Sequence, residues 1–355
     1  MDVVRRSDNR FTGLIRLAVT LGPALLIVVV ALALILLAIN KDPVTAVLQF
    51  IDGALGTDQR RSDVLMIALP VLLCSSGLLL TFTAGLWNIG IEGQVAMGAI
   101  FATGIARLVT VNTSSWLAIP AELALAMLGG ALWALLAALL KTRGNVNEIF
   151  GGVALNFIAG NILLFLLNGP WQAGNYPQTA PFEAPALLPR LTPSLSLSLP
   201  ALAIAATGFL AVFFILRGTH WGLQLRAMGR NARSAFMLGV RTERNMLLSM
   251  ALCGMLAGLA GALLVISPIS RGKLVPNISG GLGFLGVLVV LLVNVLPTWV
   301  PFVALFFAII PIGTLKLQNL GIDPSLGNVF QSALVLAVLL ANGFRTRLSR
   351  TSRES

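Results

Sequence analysis

Apolar residues fill this chain in long unbroken runs, separated by short clusters of charge, glycine and proline. Ten runs stand out, at 17–39, 64–84, 95–111, 116–140, 146–167, 199–216, 247–266, 282–296, 300–317 and 329–341. A run of about 20 apolar residues is the length of a helix that crosses a bilayer, and none of these runs alternates with the period of two that a membrane β-barrel requires. The runs at 282–296 and 329–341 are short for a span. The first run follows Arg5, Arg6, Arg10 and Arg16, the charge order of a signal peptide. It exceeds the roughly 7–15 apolar residues of a signal core and ends Ala-Ile-Asn-Lys-Asp42, so an uncleaved span is expected.

Basic residues set the orientation. With the N-terminus inside, sixteen of the 24 Lys and Arg fall in inside segments: the four N-terminal arginines, Lys141 with Arg143, six arginines between 217 and 245, and four after 344. That bias predicts about ten helices with both termini cytoplasmic. Two connections are long. Segment 168–198, outside, holds six prolines and reads as an irregular external cap. Segment 217–245, inside, holds six arginines and one acid, Glu243. No polar linker divides the chain, so a single membrane domain over 1–355 is expected. Gly90-Ile-Glu-Gly-Gln94 and Gly280-Gly-Leu-Gly-Phe284 precede apolar runs at comparable points, as a five-plus-five repeat would have it.

Composition agrees with this all-α, polytopic reading. Of 355 residues, 57% are hydrophobic and only 10% charged, with a mean hydropathy of +0.91, whereas a soluble domain carries about 25% charged residues. The net charge of +11 resides in loops, where topology demands it, which argues against a nucleic-acid surface. Cys74 and Cys253 lie inside apolar runs and read as small hydrophobes. The one histidine, His220, has no cysteine or histidine cluster around it, so no metal and no cofactor are expected. Gly272-Lys273 is followed by leucine and lacks a phosphate-cradling loop. There is no Gly-x-Ser-x-Gly, no His-Glu-x-x-His and no Asp deep in a run, so no catalytic residue is assigned.

Four segments interrupt the apolar pattern. Gly85-Leu-Trp-Asn-Ile-Gly-Ile-Glu-Gly-Gln94 puts three glycines, Trp87, Asn88, Glu92 and Gln94 between two runs. Either this non-helical stretch lines a polar pathway at membrane depth, or it is a tight cytoplasmic hairpin with solvated polar groups. Gly144-Asn-Val-Asn-Glu148 leads into a run carrying Asn156 at i+8, on the same helix face. Glu148 reads as a complement to its helix N-terminus; Asn156 either faces a pathway or bonds a neighbouring helix. In 222–241, Ala232, Ala235, Phe236 and Leu238 form an apolar stripe, with Arg226, Arg230 and Arg233 on another side. Such a helix docks in a partner's groove or lies on anionic lipid. Gly254, Ala257, Gly258 and Gly261 make a small-residue face for close helix packing.

These residues, in this order, resemble the permease subunits of bacterial ABC importers in the branched-chain amino acid and ribose permease superfamily. The similarity lies nearest the nucleoside and simple-sugar branch, served by basic-membrane-protein-type lipoprotein receptors. It rests on Trp87-Asn88 with Gly90-Ile-Glu-Gly-Gln94, Asn147-Glu148 with Leu155-Asn156, Arg226-Ala-Met-Gly-Arg-Asn-Ala-Arg-Ser-Ala235, and the Ala-Gly-Leu-Ala-Gly helix, and it runs from about 64 to 344. The chain departs at Gly229-Arg-Asn-Ala232, where such permeases commonly read Gly-Glu-Asn-Pro, and at Gly151-Gly152. The resemblance implies a non-enzymatic subunit of the bacterial plasma membrane that imports nucleosides or simple sugars by alternating access. A separate cytoplasmic ATPase, a second permease (a different chain) and an extracytoplasmic substrate-binding lipoprotein would be its partners. Trp87, Asn88, Glu92, Gln94 and Asn156 would lie toward the pathway. Arg226, Gly229, Arg230, Arg233, Phe236 and Gly239 would belong to the loop that meets the ATPase. A branched-chain amino acid permease and an ion-coupled secondary transporter, with Glu92 and Glu148 as ion sites, are the competing readings.

Overall fold

The computed structural model describes residues 40–270 and 272–323, with a few further positions between 30 and 38 and at 329 and 333. The expected spans at 17–39 and 329–341 therefore lie largely outside the described residues, as do the four basic residues at each end. Among the described residues the chain is helical, with a lone β-bridge between Ala173 and Tyr176 and no strand. Six helical stretches are long and apolar enough to cross a bilayer.

The helices are α1 (Pro43–Leu55), α2 (Asp58–Thr83), α3 (Ile91–Ala106), α4 (Ser115–Thr142), α5 (Glu148–Asn168), α6 (Leu199–Gly218), α7 (His220–Arg230), α8 (Ala232–Met237), α9 (Thr242–Ile266), α10 (Leu282–Leu292) and α11 (Val300–Leu317). They fall into two compact units, one made of the chain up to Gly56 and from Ile310, the other of Thr57–Ile309. In the first, Asp42 caps α1 by accepting from the amides of Val44 and Thr45. Phe50 lies against Gly313, and Lys316 pairs with Asp52.

The second unit carries the features singled out in the sequence. Its inner helices are α2 and α9, whose most apolar windows are 83% and 78% buried, against 28% for α5 and 22% for α6. Phe150, Phe157 and Phe165 stand exposed along α5. In water such a stripe would be costly; against lipid tails it costs nothing. The small-residue face of α9 is where α3 and α4 close in. A Cβ on Gly258 would collide with the carbonyl of Ala126 on α4, one on Gly261 with that of Val95 on α3, and one on Gly254 with that of Gly130. Backbones in such contact cannot part without losing the packing that replaces hydrophobic drive in a bilayer. Gly258→Val is expected to abolish a monodisperse, detergent-extracted peak by size-exclusion chromatography, while Leu256→Val leaves it.

Two short helices interrupt the long ones. The 16 residues of α3 rise about 24 Å, short of the roughly 30 Å hydrocarbon core, and the 11 of α10 rise about 16 Å. Both begin at glycine: Gly90 caps α3, and Gly281, in the left-handed region at φ 82°, caps α10. The start of α3 is a correction to the sequence reading of 95–111, since Glu92 and Gln94 stand inside its first turns. The end of α10 is another: residues Asn294 and Val295 have positive φ and terminate it before 296.

Past the end of α5, the proline-rich segment to 198 holds only the Ala173–Tyr176 bridge and one 3-10 turn at Ala184–Ala186. It runs beside 266–274, with Thr179, Phe182 and Leu188 donating backbone hydrogen bonds to Leu274, Gly272 and Ile266. Its far end is tied to the first turns of α2 through Ser196, which contacts Gln59 and Ser62.

Candidate functional site

The break between α2 and α3 is held from several sides by hydrogen bonds and close backbone contacts. Gly85 turns the chain at φ 79°, and four sets of contacts then hold residues 85–94. Asn156 of α5 clasps the break from one side. Its Oδ1 accepts from the amide of Gly93 at 2.8 Å, and its Nδ2 donates to the carbonyl of Ile89 at 2.9 Å. Gly152, one turn earlier, meets Gly90 backbone to backbone, which explains the second glycine of the Gly151-Gly152 pair in α5.

Asn88 and Gln94 form a reciprocal amide pair. Asn88 Nδ2 donates to Gln94 Oε1 at 3.1 Å and Gln94 Nε2 donates to Asn88 Oδ1 at 2.9 Å. Asn88 Nδ2 also donates to Cys253 Sγ on α9. Both side chains are 1% exposed, and full mutual pairing is what allows two amides to be buried.

Glu92 reaches furthest. Its Oε1 accepts from the amide of Gly281 and its Oε2 from that of Gly283, each at 2.9 Å. The carboxylate thus sits in the first turn of α3 and caps the N-terminus of α10, between two positive helix ends. Gly283 is required there, because a Cβ would stand 2.5 Å from Glu92 Oε2. Trp87 differs from its neighbours: its ring stacks at a tilt on Phe82, with centroids 5.2 Å apart, and is 45% exposed.

The fourth contact ties the break to the arginine-rich segment. Gly229, near the end of α7, lies so close to Gly85 and Thr83 that a Cβ on it would collide with the Thr83 carbonyl. The segment is two helices, and Ala232, Ala235, Phe236 and Leu238, read as one apolar stripe, lie in or just after the second. Asn231 breaks them at φ −160°, and its side chain caps α8 by accepting from the amide of Ser234. Ala235 is buried, whereas Phe236, Met237 and Leu238 project at 67%, 73% and 83% exposure. Gly239 ends the turn at φ 85°. Arg230 and Arg233 are exposed, and Arg226 donates to the carbonyl of Leu216 at 2.6 Å.

Glu148 stands in the first turn of its own helix, where its charge complements the N-terminus, but it is not the cap. Asn147 is, accepting from the amide of Ile149, while Glu148 pairs with Lys141 at 2.7 Å. Beside Glu92 and Glu148, the candidate ion sites of the sequence, a third carboxylate stands out. Glu122, in α4, is wholly buried, and neither of its oxygens has a hydrogen-bond partner among the described residues.

Asn156→Ala would strip the break of two hydrogen bonds and leave the Gly93 amide unmet, a loss of about 1–3 kcal/mol. A lower thermal midpoint of the purified protein, with Gly93 unprotected in hydrogen exchange, is the expected result.

Residues 61–339 match the model of the family described as branched-chain amino acid transport system / permease component. The chain is 30% identical over 339 residues to the glucose ABC transporter permease protein TsgB13 of Haloferax volcanii, covering 91% of this chain and 88% of the relative. It is 26% identical over 316 residues to the nucleoside ABC transporter permease protein NupB of Lactococcus lactis, covering 86% of each. It is 28% identical over 213 residues to NupC of the same organism, also a nucleoside ABC transporter permease protein, covering 57% of this chain and 65% of that one. No solved structure matches.

Proposed function

Since the chain belongs to the family of branched-chain amino acid transport system permease components, we propose that it is the membrane-spanning subunit of an ATP-driven importer of nucleosides or simple sugars. The observation that carries the substrate class is Glu92. In transporters built on broken helices, the free N-termini of half-helices attract anionic groups of the substrate. Here the N-terminus of α10 is already filled by the protein's own carboxylate. A site so arranged repels a second carboxylate and suits a neutral, hydroxyl-bearing solute. That favours nucleosides or sugars over amino acids, in line with the glucose and nucleoside permeases it resembles.

Transport runs by alternating access, and the chain hydrolyses no ATP. Phe236, Met237 and Leu238 form the knob that seats in a cytoplasmic ATPase. Motion of that knob passes across Asn231 to Gly229 at the end of α7, which presses on Gly85, and so to the break. From there the Glu92 carboxylate carries it to α10, and the Asn156 clasp to α5. Trp87, the exposed face of the break, lines the pathway, with the Asn88–Gln94 pair behind it. The arginines of 217–245 support a cytoplasmic face for this side of a bacterial plasma-membrane protein with about ten helices and both termini inside. A second permease, a different chain as NupB and NupC are two, completes the pore, and an external lipoprotein delivers substrate.

Co-purification in mild detergent tests this: an ATPase and a second permease are expected with the chain, and their absence overturns the assignment. Glu122 favours the ion-coupled alternative, since a buried carboxylate without a partner is a ready proton site. Uptake that continues under an uncoupler at constant ATP excludes it.

A further inference from the structure

Behind the docking knob lies a cavity of about 280 Å³, with Trp221 and Gln224 of α7, Gly239, and Arg241, Arg244 and Asn245 of the α9 start around it. Its floor is a chain of hydrogen bonds. Trp221 Nε1 donates to Asn245 Oδ1 at 3.1 Å, Asn245 Nδ2 donates to Gln224 Oε1 at 3.1 Å, and Gln224 Nε2 lies 3.3 Å from His220 Nδ1. Asn245 is 4% exposed, and this fixes its amide with one hydrogen uncommitted. Neither guanidinium, of Arg241 or of Arg244, has an ion-pair or hydrogen-bond partner among the described residues. The start of α9, at Arg241, has no side-chain cap, and Glu243 stands in its first turn. Glu243 stands between the two arginines in sequence but does not line the cavity.

Donors therefore converge on a small open space with no carboxylate in its wall. Two planar guanidinium forks beside the buried Asn245 amide make a donor set that matches a tetrahedral oxyanion. We propose that this cavity binds a phosphate group, carried either by an anionic lipid headgroup or by a free phosphate of the cytosol. Leu248, one turn along α9, lines the same cavity and is 40% exposed, an apolar surface along which an acyl chain would run. The site lies apart from the break at 85–94 and does not depend on what solute is carried.

The test uses the full-length chain with its co-purifying subunits, reconstituted in nanodiscs of phosphatidylcholine with and without phosphatidylglycerol, and read by native mass spectrometry. Wild type is expected to retain phosphatidylglycerol in preference to phosphatidylcholine. Arg241→Gln with Arg244→Gln should weaken retention by about tenfold for each arginine, while the paired lysine variants keep part of it because the charge survives without the fork. Inorganic phosphate that binds with the same dependence on both arginines, and without lipid preference, assigns the site to free phosphate. No preference for either probe, or equal retention by the glutamine variant, overturns the proposal. So does a density map of the complex in which a carboxylate of a partner subunit fills the cavity.

Discussion

Phe236→Asp abolishes ATP-driven uptake and leaves the chain inserted and folded. The expectation follows from where the ring stands. Phe236, Met237 and Leu238 project together from α8, more than two thirds exposed in each case, beside two charged residues, Arg230 and Arg233. An apolar cluster of this kind on a polar, arginine-rich surface is the anchor of an interface, where a few buried aromatic residues carry most of the binding energy. Burying a phenylalanine side chain contributes about 1.5–3 kcal/mol, and a carboxylate in the same pocket would need desolvation without a partner. Within its own chain the helix is held by the Asn231 cap and the buried Ala235, which the substitution leaves in place. Stimulated ATP hydrolysis and uptake per inserted protein are the measurements, with Phe236→Leu as the conservative control. Normal stimulation by the aspartate variant would remove α8 from the interface.

Hydropathy made the long helices legible because a bilayer leaves backbone groups no other solution. Their ends were less legible, and α3 shows why. Glu92 and Gln94 look like loop residues, so the helix seemed to begin at Val95. In the structure Glu92 is answered by two amides of α10, 189 and 191 positions away, and Gln94 by Asn88. Polar side chains with partners no longer end a helix, and partners so distant leave no local signal. The starts of α1 and α8 rest instead on local contacts. Asp42-Pro43 and Asn231 followed by Ser234 are capping patterns present in the sequence, and both helices start there. Glu122 escaped notice for another reason: one carboxylate in a long apolar run barely lowers its hydropathy. The five residues expected to lie toward a pathway, Trp87, Asn88, Glu92, Gln94 and Asn156, all lie at the break. What the sequence pattern did not show is that four of the five are occupied in holding it.

That occupation sets the expectation for Glu92→Gln, which lowers uptake at least tenfold while expression falls much less. Glutamine presents one oxygen and one amide nitrogen where the carboxylate presents two oxygens. One of the amides of Gly281 and Gly283 would then face a donor. An unmet buried amide costs about 1–3 kcal/mol, and loss of the charge between two helix N-termini adds up to about 2 kcal/mol in a partly buried setting. The carboxylate is the direct tie between α3 and α10, so slackening it decouples the break from the shorter of the two half-helices. Glu92→Asp is expected to fail as well, because a side chain one methylene shorter cannot reach both amides from the same backbone position. Uptake of radiolabelled nucleoside or sugar per inserted transporter, compared with ATP hydrolysis by the same preparation, separates the two consequences. Hydrolysis that persists while uptake collapses places the fault between the break and α10. If both rates match wild type, Glu92 is a helix cap without a part in transport, and the argument for a neutral substrate loses its support.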